Sequence, residues 1–281
     1  MKTDFLVIGS GMAGLTYVIK VAEQFPEKRV VVVTKSRAEE SNTNKAQGGV
    51  AIVQNQKDSL EKHVSDTLRA GDGLCNEEIV RMVISQGPDC LKNMINWGVN
   101  FDTNQYGSFD LGKEGGHSEN RVVHYKDITG SEIIRALIAR LKGLKNINFL
   151  SHHLAIDLIC DDHLDKKPSS KQKRCYGAYV LNEKNNKVVT IMSKITLLAS
   201  GGIGQIYEHT TNPKIATGDG IAMAYRLKAK IKDVEFIQFH PTALYNPKET
   251  PAFLISEAVR GFGAKLCTWD KKEFMKKYHP N

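Results

Sequence analysis

The sequence contains no paired-cysteine motif and no long apolar run. Its five cysteines are scattered without a C-x-x-C pair, which argues against a disulfide framework or a zinc site, so we predict no metal. The apolar run over residues 5–8 is too short for a signal peptide, and no stretch approaches the roughly 20 apolar residues of a membrane span. We therefore expect a soluble, cytoplasmic protein with no membrane partner.

The positive charge is not arranged as in nucleic-acid-binding proteins. The formal net charge is +8, and basic residues concentrate over residues 166–174 and 271–277. Neither stretch alternates cations with aromatic side chains, so solvated loop and helix faces explain the charge better than a nucleic-acid surface does. We predict no nucleic-acid partner and attribute to this charge only a mild attraction of anionic substrates.

The first 34 residues have the pattern of a strand, a glycine-rich turn, a helix and a second strand. Residues 4–8 form a short, mainly apolar run that ends at Gly9, and residues 12–24 place apolar side chains at helical spacing. Residues 29–34 form a valine-rich run of the kind found in buried parallel strands. This βαβ unit predicts an α/β domain with a doubly wound sheet.

The rest of the chain continues the alternation of strands and helices. A long polar loop over residues 35–49 is of the length that is usually functional inside a compact domain. The spacing predicts helices over 59–70, 77–97, 131–144 and 218–227, the second open to interruption at Gly87 and Pro88, and strands over 148–150, 155–160, 176–181, 187–192 and 195–199. Two of these strands, 176–181 and 187–192, should form a hairpin. We predict one domain over residues 1–234 and the beginning of a second, truncated domain over residues 235–281.

A G-x-G-x-x-G motif stands at the turn between the first strand and the first helix. Gly9, Gly11 and Gly14 permit a tight turn and close approach of a pyrophosphate, whose charge the helix N-terminus stabilises. The acidic residue that usually binds the ribose of NAD is missing, because Thr34 and Lys35 occupy its place. The motif therefore predicts a dinucleotide site and disfavours NAD, with Lys35 either reaching the cofactor or remaining solvated.

Six motifs occur in an order that is specific to one family. They are GSGMAG (9–14), NTNKAQGG (42–49), EGGHS (114–118), ASGG (199–202), TTNP with TGDGIAMA (210–224), and QFHPTAL (238–244). In this order and spacing the sequence resembles the flavoprotein family of succinate dehydrogenase and fumarate reductase, and within it the L-aspartate oxidases, over essentially the whole chain. The resemblance implies a doubly wound FAD-binding domain of the glutathione-reductase type, followed by the start of an α+β capping domain.

The resemblance also implies which residues bind FAD. It assigns this role to the glycine motif, to Lys35, to the polar loop and to the start of a later helix, that is, to Gly9, Ser10, Gly11, Met12, Ala13, Gly14, Lys35, Asn42, Thr43, Asn44, Lys45, Ala46, Gln47, Gly48, Gly49 and Asp219. Asp219 could instead cap its own helix. Asn42 stands where the covalent-flavin members have a histidine, so we predict noncovalent FAD.

Glu114 distinguishes between members of the family. The succinate and fumarate enzymes usually have an apolar residue before the two glycines of EGGHS, whereas this chain has a carboxylate. Aspartate differs from succinate by its α-ammonium, and burial of that cation without an anion would cost several kcal/mol. Glu114 is therefore a candidate partner of the ammonium, the alternative being a surface carboxylate beside a glycine turn.

Four further residues receive catalytic or binding roles from the resemblance. It assigns His240 and Ser256 to binding of substrate carboxylates, and it matches Glu257 and Arg260 to the pair that delivers protons in fumarate-reducing relatives. Taken alone, His240 could be a core histidine, and Glu257 with Arg260 could be a simple salt bridge at spacing i,i+3. Phe262 departs from the family, which often has an acidic residue there, so the proton relay stays unassigned.

The implied activity is oxidation of L-aspartate to iminoaspartate by FAD, with oxygen or fumarate as electron acceptor. The resemblance places this reaction first in quinolinate and NAD synthesis, with quinolinate synthase as a possible pathway partner. It also places a catalytic arginine beyond Asn281, so we expect the chain as given to be inactive. Two alternatives remain open at this stage: a noncovalent fumarate reductase or succinate dehydrogenase flavoprotein, and a flavin-binding fragment without catalysis.

Overall fold

A six-stranded sheet forms the centre of the computed structural model, which describes residues 1–164, 173–261 and 263–278. In chain order the elements are β1 (Lys2–Ile8), α1 (Met12–Gln24), β2 (Val30–Thr34), α2 (Asn42–Lys45), β3 (Val50–Ala51), α3 (Leu60–Ala70), α4 (Glu77–Asn96), β4 (Leu111–Gly112), β5 (Val122–Val123), α5 (Thr129–Leu141), β6 (Ile147–Ser151), β7 (His153–Cys160), β8 (Cys175–Asn182), β9 (Lys187–Leu198), α6 (Asp219–Arg226) and α7 (Glu257–Gly261).

The sheet combines a parallel half with an antiparallel half. Its strand order is β6-β2-β1-β9-β8-β7. Strands β6, β2, β1 and β9 are parallel, whereas β8 pairs antiparallel with both β9 and β7. The carboxyl ends of β1 and β2 therefore lie side by side, at the sheet edge where α/β proteins bind their ligands.

Alternate residues of β1 and β2 face two different layers of the core. One set, which includes Val7 and Val32, packs with side chains of α1 and α5 such as Leu15 and Leu137. The other set consists of Leu6, Ile8, Val31 and Val33, and it packs with residues of β7, β8, β9 and α6. These partners are Ala155, Leu158, Ala178, Val180, Ile191 and Met223. Each fully buried Leu or Val contributes about 1.5–3 kcal/mol. The predicted α/β class is confirmed, and the curled β7–β9 strands cover the face opposite α1 and α5.

Two predicted interruptions do not occur. Helix α4 runs without a break through Gly87 and Pro88. Its start is fixed by Asn76, whose side chain accepts a hydrogen bond from the Ile79 amide, as an N-cap residue does. The strands predicted over 187–192 and 195–199 are one strand, β9, because its first half pairs with β8 while its second half pairs with β1.

The last part of the chain contains few regular elements. The predicted hairpin of β8 and β9 is confirmed, but the segment from Val234 to His240 forms no helix or strand. Beyond it, Ala243 and Leu254 make an isolated antiparallel bridge that brings the chain back towards α7. The domain boundary between residues 234 and 235 stays a prediction, and Phe262 and much of the basic stretch 166–174 lie outside the described residues. Among the helices of the described part of the chain, none has the length and apolar character needed to cross a membrane.

Candidate functional site

A cavity of about 250 Å³ opens at the carboxyl ends of β1 and β2. Nine of the predicted cofactor residues line it: Gly9, Ser10, Gly11, Met12, Ala13, Lys35, Asn42, Thr43 and Asp219. The other predicted cofactor residues (Gly14, Asn44, Lys45, Ala46, Gln47, Gly48 and Gly49) do not line it within the described chain. The sequence prediction missed one side of the cavity, which β7 supplies through His153, Leu154 and Ala155.

The three glycines of the motif have different physical reasons to be glycine. Gly9 has φ +115°, and a Cβ on it would lie 2.1 Å from the Ala199 carbonyl oxygen. A Cβ on Gly14 would lie 2.2 Å from the Gly9 carbonyl oxygen. A Cβ on Gly11, in contrast, would make only ordinary contacts, with Thr43 Oγ1 at 3.6 Å and Ser41 Cβ at 4.0 Å. Gly9 and Gly14 are therefore required by packing, whereas the space at Gly11 is left open in the cavity lining.

Helix α1 begins at this cavity and presents its N-terminus to it. The first turn of α1 contains no acidic residue, so the positive end of the helix dipole is available to an anion. The polar loop closes over the turn, because the Met12 amide donates a hydrogen bond to Thr43 Oγ1 at 3.2 Å. Ser41 supports α2 by accepting a hydrogen bond from the Asn44 amide.

Lys35 and Asp219 meet at the side of the cavity beyond β2. The Lys35 Nζ atom donates to Asp219 Oδ2 at 2.5 Å and to Thr217 Oγ1 at 2.6 Å. The side chains are 22% and 28% exposed, so the pair can exchange hydrogen bonds with a ligand. The side chain of Asp219 makes no cap on α6 in the described chain, which weakens the capping alternative.

The polar loop is held from behind by α5. The Gly130 amide donates to the Ala46 carbonyl oxygen at 3.0 Å. A Cβ on Gly130 would lie 1.8 Å from the Thr43 carbonyl oxygen, so only glycine fits there. The sequence prediction missed this contact, although a glycine at the start of a predicted helix is a signal that could have suggested close packing.

Glu114 and Glu257 lie together beside the glycines of the polar loop. A Cβ on Gly48 would lie 2.8 Å from Glu114 Oε1, and Glu257 Oε1 accepts a hydrogen bond from the Gly115 amide at 3.0 Å. Burial and the negative charge of Glu257 raise the pKa of the Glu114 carboxyl above its ordinary value. Arg260 lies 3.6 Å from Glu257, so the predicted i,i+3 pair is present.

The chain segments that carry His240 and Ser256 contact each other next to Glu257. His240 Nδ1 lies 3.0 Å from the Thr242 carbonyl oxygen, and Thr242 Oγ1 donates to the Ile255 carbonyl oxygen, next to Ser256. Ser256 Oγ donates to Asp127 Oδ1 at 2.6 Å. Within the described chain, no hydrogen bond joins His240 or Ser256 to Glu114. The catalytic roles of these residues stay predictions.

A buried ionic network lies beneath the loop that carries Glu114. Arg121 is 0% exposed and pairs with Asp58 through Nε and with Asp66 through Nη1, at 2.8 and 2.6 Å. Asp66 also accepts hydrogen bonds from the amide and the hydroxyl of Ser118, both at 2.7 Å. Burial alone would raise the pKa of Asp66, but the hydrogen bonds from Ser118 and Arg121 hold it far below its ordinary value.

Two histidines adjoin this network. The rings of His63 and His117 meet edge to face at 6.2 Å, and the Nδ1 atom of each is buried without a hydrogen-bond partner in the described chain. Burial and the neighbouring charge of Arg121 lower the pKa of His63. The network and both histidines hold the EGGHS loop in place. The sequence prediction missed this ionic network because the residues that form it are far apart in the chain.

The cavity fits the pyrophosphate and the adenosine ribose of a flavin dinucleotide. The open space at Gly11 and the start of α1 would hold the pyrophosphate, and Lys35 with Asp219 would hold the adenosine ribose. Asn42 lines the same cavity, and an amide has no ring nitrogen to bond covalently to a flavin. Noncovalent binding is therefore the form that this residue set supports.

Comparisons with known proteins place this chain among relatives of known name. The chain is 46% identical to a chloroplastic L-aspartate oxidase of rice (Oryza sativa subsp. japonica), covering 98% of this chain and 42% of the relative. It is 42% identical to an L-aspartate oxidase of Pseudomonas aeruginosa, covering 99% of this chain and 51% of the relative. The chain thus spans about half, or less, of the length of these curated relatives.

Solved structures share the fold. A variant of the E. coli quinol fumarate reductase subunit FrdA superposes with a TM-score of 0.89 at 28% identity, over 99% of this chain and 45% of that chain. The Mycobacterium smegmatis Sdh1 complex superposes with a TM-score of 0.80 at 32% identity, over 92% of this chain and 44% of that chain. The family model described as "FAD binding domain" matches residues 4–281. The chain therefore belongs to the FAD binding domain family, and FAD is its cofactor.

Proposed function

We propose that this chain forms the FAD-binding part of an enzyme that oxidises L-aspartate to iminoaspartate, with oxygen or fumarate as acceptor. The observation that carries the proposal is the position of Glu114. Its half-buried carboxylate lies beside the polar loop and next to a second carboxylate, Glu257. The names of the relatives point in the same direction.

The carboxylate pair favours a substrate that carries a cation. Two adjacent carboxylates repel each other, and this repulsion adds to the effect of burial in raising the pKa of Glu114. An α-ammonium between them would relieve that repulsion, and its attraction to the two carboxylates would offset the free-energy cost of removing it from water. Succinate and fumarate carry only negative charge and would gain nothing there. The pair therefore supports an amino acid over a simple dicarboxylate.

The remaining predicted residues suit the carboxylates of the substrate. Ser256 has a hydroxyl that can donate a hydrogen bond, and His240 has a second ring nitrogen beyond the one that faces Thr242. The net charge of +8 favours the approach of an anionic substrate over longer distances. We propose that these groups orient aspartate so that its α-hydrogen faces the cofactor.

The reaction divides between cofactor and protein. FAD, when bound, supplies the hydride acceptor. Glu114 holds the ammonium and, because its pKa is raised, is suited to take the proton that the ammonium must lose. The α-carbon thus gives up a hydride, the nitrogen gives up a proton, and iminoaspartate leaves. The product is a reactive imine, consistent with a role in quinolinate and NAD synthesis and with quinolinate synthase as a pathway partner.

Replacement of Glu114 tests the proposal. The test uses FAD-loaded protein in which the chain continues past Asn281 to the length of the rice relative. Glu114→Leu should lower kcat/KM for aspartate oxidation by about 100-fold or more, because an unpaired buried cation costs several kcal/mol. Fumarate reduction should change by less than about 5-fold, since fumarate has no ammonium.

A matched control uses the same substitution five residues away. Glu119 pairs with Lys62 on the outside of the loop, so Glu119→Leu should leave both activities near those of the unchanged protein. Equal losses with aspartate and fumarate in Glu114→Leu would contradict the ammonium role. That result would favour a fumarate reductase, the activity named for the FrdA structure that shares this fold.

A further inference from the structure

The hydroxyl of Ser256 is already occupied in this structure. Ser256 Oγ donates its hydrogen to Asp127 Oδ1 at 2.6 Å. The same oxygen accepts a hydrogen bond from the Ala258 amide at 3.3 Å. A serine hydroxyl has one hydrogen to donate, so Ser256 has no donor left for another acceptor.

This arrangement conflicts with the role of Ser256 in substrate binding. A substrate carboxylate is ionised at neutral pH and can only accept hydrogen bonds. Ser256 must therefore withdraw its hydrogen from Asp127 before it can donate to a substrate. Asp127 and the substrate present the same chemical group, a carboxylate, to the same hydroxyl.

Asp127 is suited to give up this contact. Its side chain is exposed, and no other hydrogen bond or ion pair to its carboxylate occurs among the described residues. It lies in the turn that precedes α5, whereas Ser256 lies immediately before α7. The carboxylate can return to water when the hydroxyl turns away, so its release leaves no buried charge unpaired.

The segment that carries Ser256 has other attachments to the FAD-binding part of the chain. Gln47 Nε2 donates to the Leu254 carbonyl oxygen at 3.0 Å, and the Gly115 amide donates to Glu257 Oε1. These two hydrogen bonds flank Ser256 and do not involve Asp127. Loss of the Asp127 contact therefore frees the hydroxyl while the segment stays in place.

We propose that Asp127 occupies the substrate-carboxylate position on Ser256 and that a dicarboxylate substrate displaces it. Asp127 is then a residue that sets substrate affinity through Ser256, and it takes no part in the chemical step. The proposal rests on the proposed function in one respect, that Ser256 binds a substrate carboxylate. It predicts that the carboxylate of Asp127 weakens substrate binding.

The test measures dicarboxylate binding with and without each partner. The same extended, FAD-loaded protein as in the Glu114 test is titrated with succinate, and the dissociation constant is read from the change in flavin absorbance. Asp127→Ala should lower this constant about 5- to 10-fold, as expected when a competing state that holds most of the hydroxyl population is removed. KM for aspartate should fall by a similar factor while kcat stays unchanged.

The double variant Asp127→Ala with Ser256→Ala distinguishes competition for the Ser256 hydroxyl from simple charge repulsion between Asp127 and the substrate. In a Ser256→Ala background, Asp127→Ala should have no effect, because the contested group is gone. Asp127→Asn keeps an acceptor for Ser256 and should fall between wild type and Asp127→Ala. Asp89→Ala, which removes an exposed carboxylate from α4, should match wild type. Unchanged flavin content and thermal midpoint show that the variants are folded.

The contrary outcomes are distinct from failure of the proposed function. An unchanged or higher dissociation constant in Asp127→Ala would overturn the proposal, and so would an equal decrease in the Ser256→Ala background. Wild-type protein that binds succinate but does not oxidise aspartate would contradict the oxidase activity alone, since the succinate titration needs no turnover. Wild-type protein that binds no dicarboxylate would overturn both.

Discussion

At the scale of single residues, the glycines of the G-x-G-x-x-G motif serve two purposes, close packing of the protein and close approach of a ligand. Gly9 and Gly14 are glycine because a backbone carbonyl oxygen occupies the place of a side chain. Gly11 has room for a methyl group as far as the protein is concerned, and its backbone (φ −72°, ψ 177°) suits any residue. A glycine that the protein does not need is explained by a ligand that approaches the backbone at that point.

The same substitution at Gly11 and Gly14 should therefore have opposite signatures. Gly14→Ala should lower the free energy of unfolding of the FAD-free protein by about 1–3 kcal/mol, the usual cost of forcing an atom into a filled space. Gly11→Ala should change that free energy by less than about 1 kcal/mol but weaken FAD binding at least about 10-fold, since a methyl group would stand where the pyrophosphate approaches.

Urea denaturation and fluorescence titration with FAD measure the two quantities on the same preparations. Each variant serves as the control of the other, because both exchange one hydrogen for one methyl group within three residues. FAD affinity equal to wild type in Gly11→Ala would show that the pyrophosphate lies elsewhere.

At the scale of elements, local spacing predicted the parts of the fold that depend on neighbours in the chain. Strand β1, helix α1, strand β2 and the β8–β9 hairpin were all predictable from periodicity and turn residues. Periodicity did not reveal that β9 is continuous, because its change of partner at Met192 leaves no break in the backbone.

The site was less predictable because its contacts span long stretches of sequence. Asp127 and Ser256 are 129 residues apart, and Arg121 lies 63 residues from Asp58. No local sequence pattern predicts such pairs, because the two residues come into contact only when the chain folds. The resemblance to a family identified one member of the first pair, Ser256, but not the carboxylate that it contacts.

Two glycines inside helices show how an element's surroundings decide the effect of a mutation. In α4, a Cβ on Gly87 would make ordinary contact with Ile52 at 3.7 Å. In α5, a Cβ on Gly130 would overlap the Thr43 carbonyl oxygen. Gly87→Ala should change the free energy of unfolding by less than about 1 kcal/mol, because the helix preference of alanine is offset by the contact of its Cβ with Pro88, the next residue in α4.

Gly130→Ala should lower the free energy of unfolding by about 1–3 kcal/mol, because α5 and the polar loop must separate. FAD affinity should fall with it, since Asn42 and Thr43 line the cavity. The check is chemical denaturation of both variants, with FAD titration. Equal free energies of unfolding for the two variants would show that the α5 contact does not constrain the loop.

At the scale of the whole molecule, two sites are held by different means. The FAD cavity is formed at the ends of sheet strands and helix α1, which the apolar core fixes in place. The loop that carries Glu114 belongs to a region of short strands, β3 to β5. That loop depends on buried charge, namely Arg121 with its two carboxylates. Buried ionic networks respond to pH, so the second region should dominate the acid sensitivity of the protein.

His63 provides the clearest measure of that sensitivity. It is 9% exposed, and burial together with the charge of Arg121 lowers its pKa below the ordinary value of 6.5. Well above pH 6.5 the histidine is neutral in both the folded and the unfolded chain and contributes nothing to the pH dependence. As the pH falls through 6.5, the unfolded chain takes up the proton first, so the free energy of unfolding decreases. The decrease ends once the pH passes the lowered pKa of the folded state.

We therefore predict that His63→Asn removes a pH dependence of up to about 1.4 kcal/mol per pH unit, the limit for one proton. The measurement is urea denaturation of FAD-free protein at closely spaced pH values from neutrality down to about pH 5, starting above the ordinary histidine value. The raised pKa of Glu114 gives a slope of the opposite sign, because the folded chain takes up that proton first. This slope is present in both proteins and cancels in the difference.

The control is His209→Asn, at an exposed histidine, which should retain the wild-type slope. A His63→Asn protein with that same slope would show that His63 can be protonated in the folded chain as readily as in the unfolded one. The burial of His63 beside Arg121 and His117 would then have no effect on the pKa of its ring.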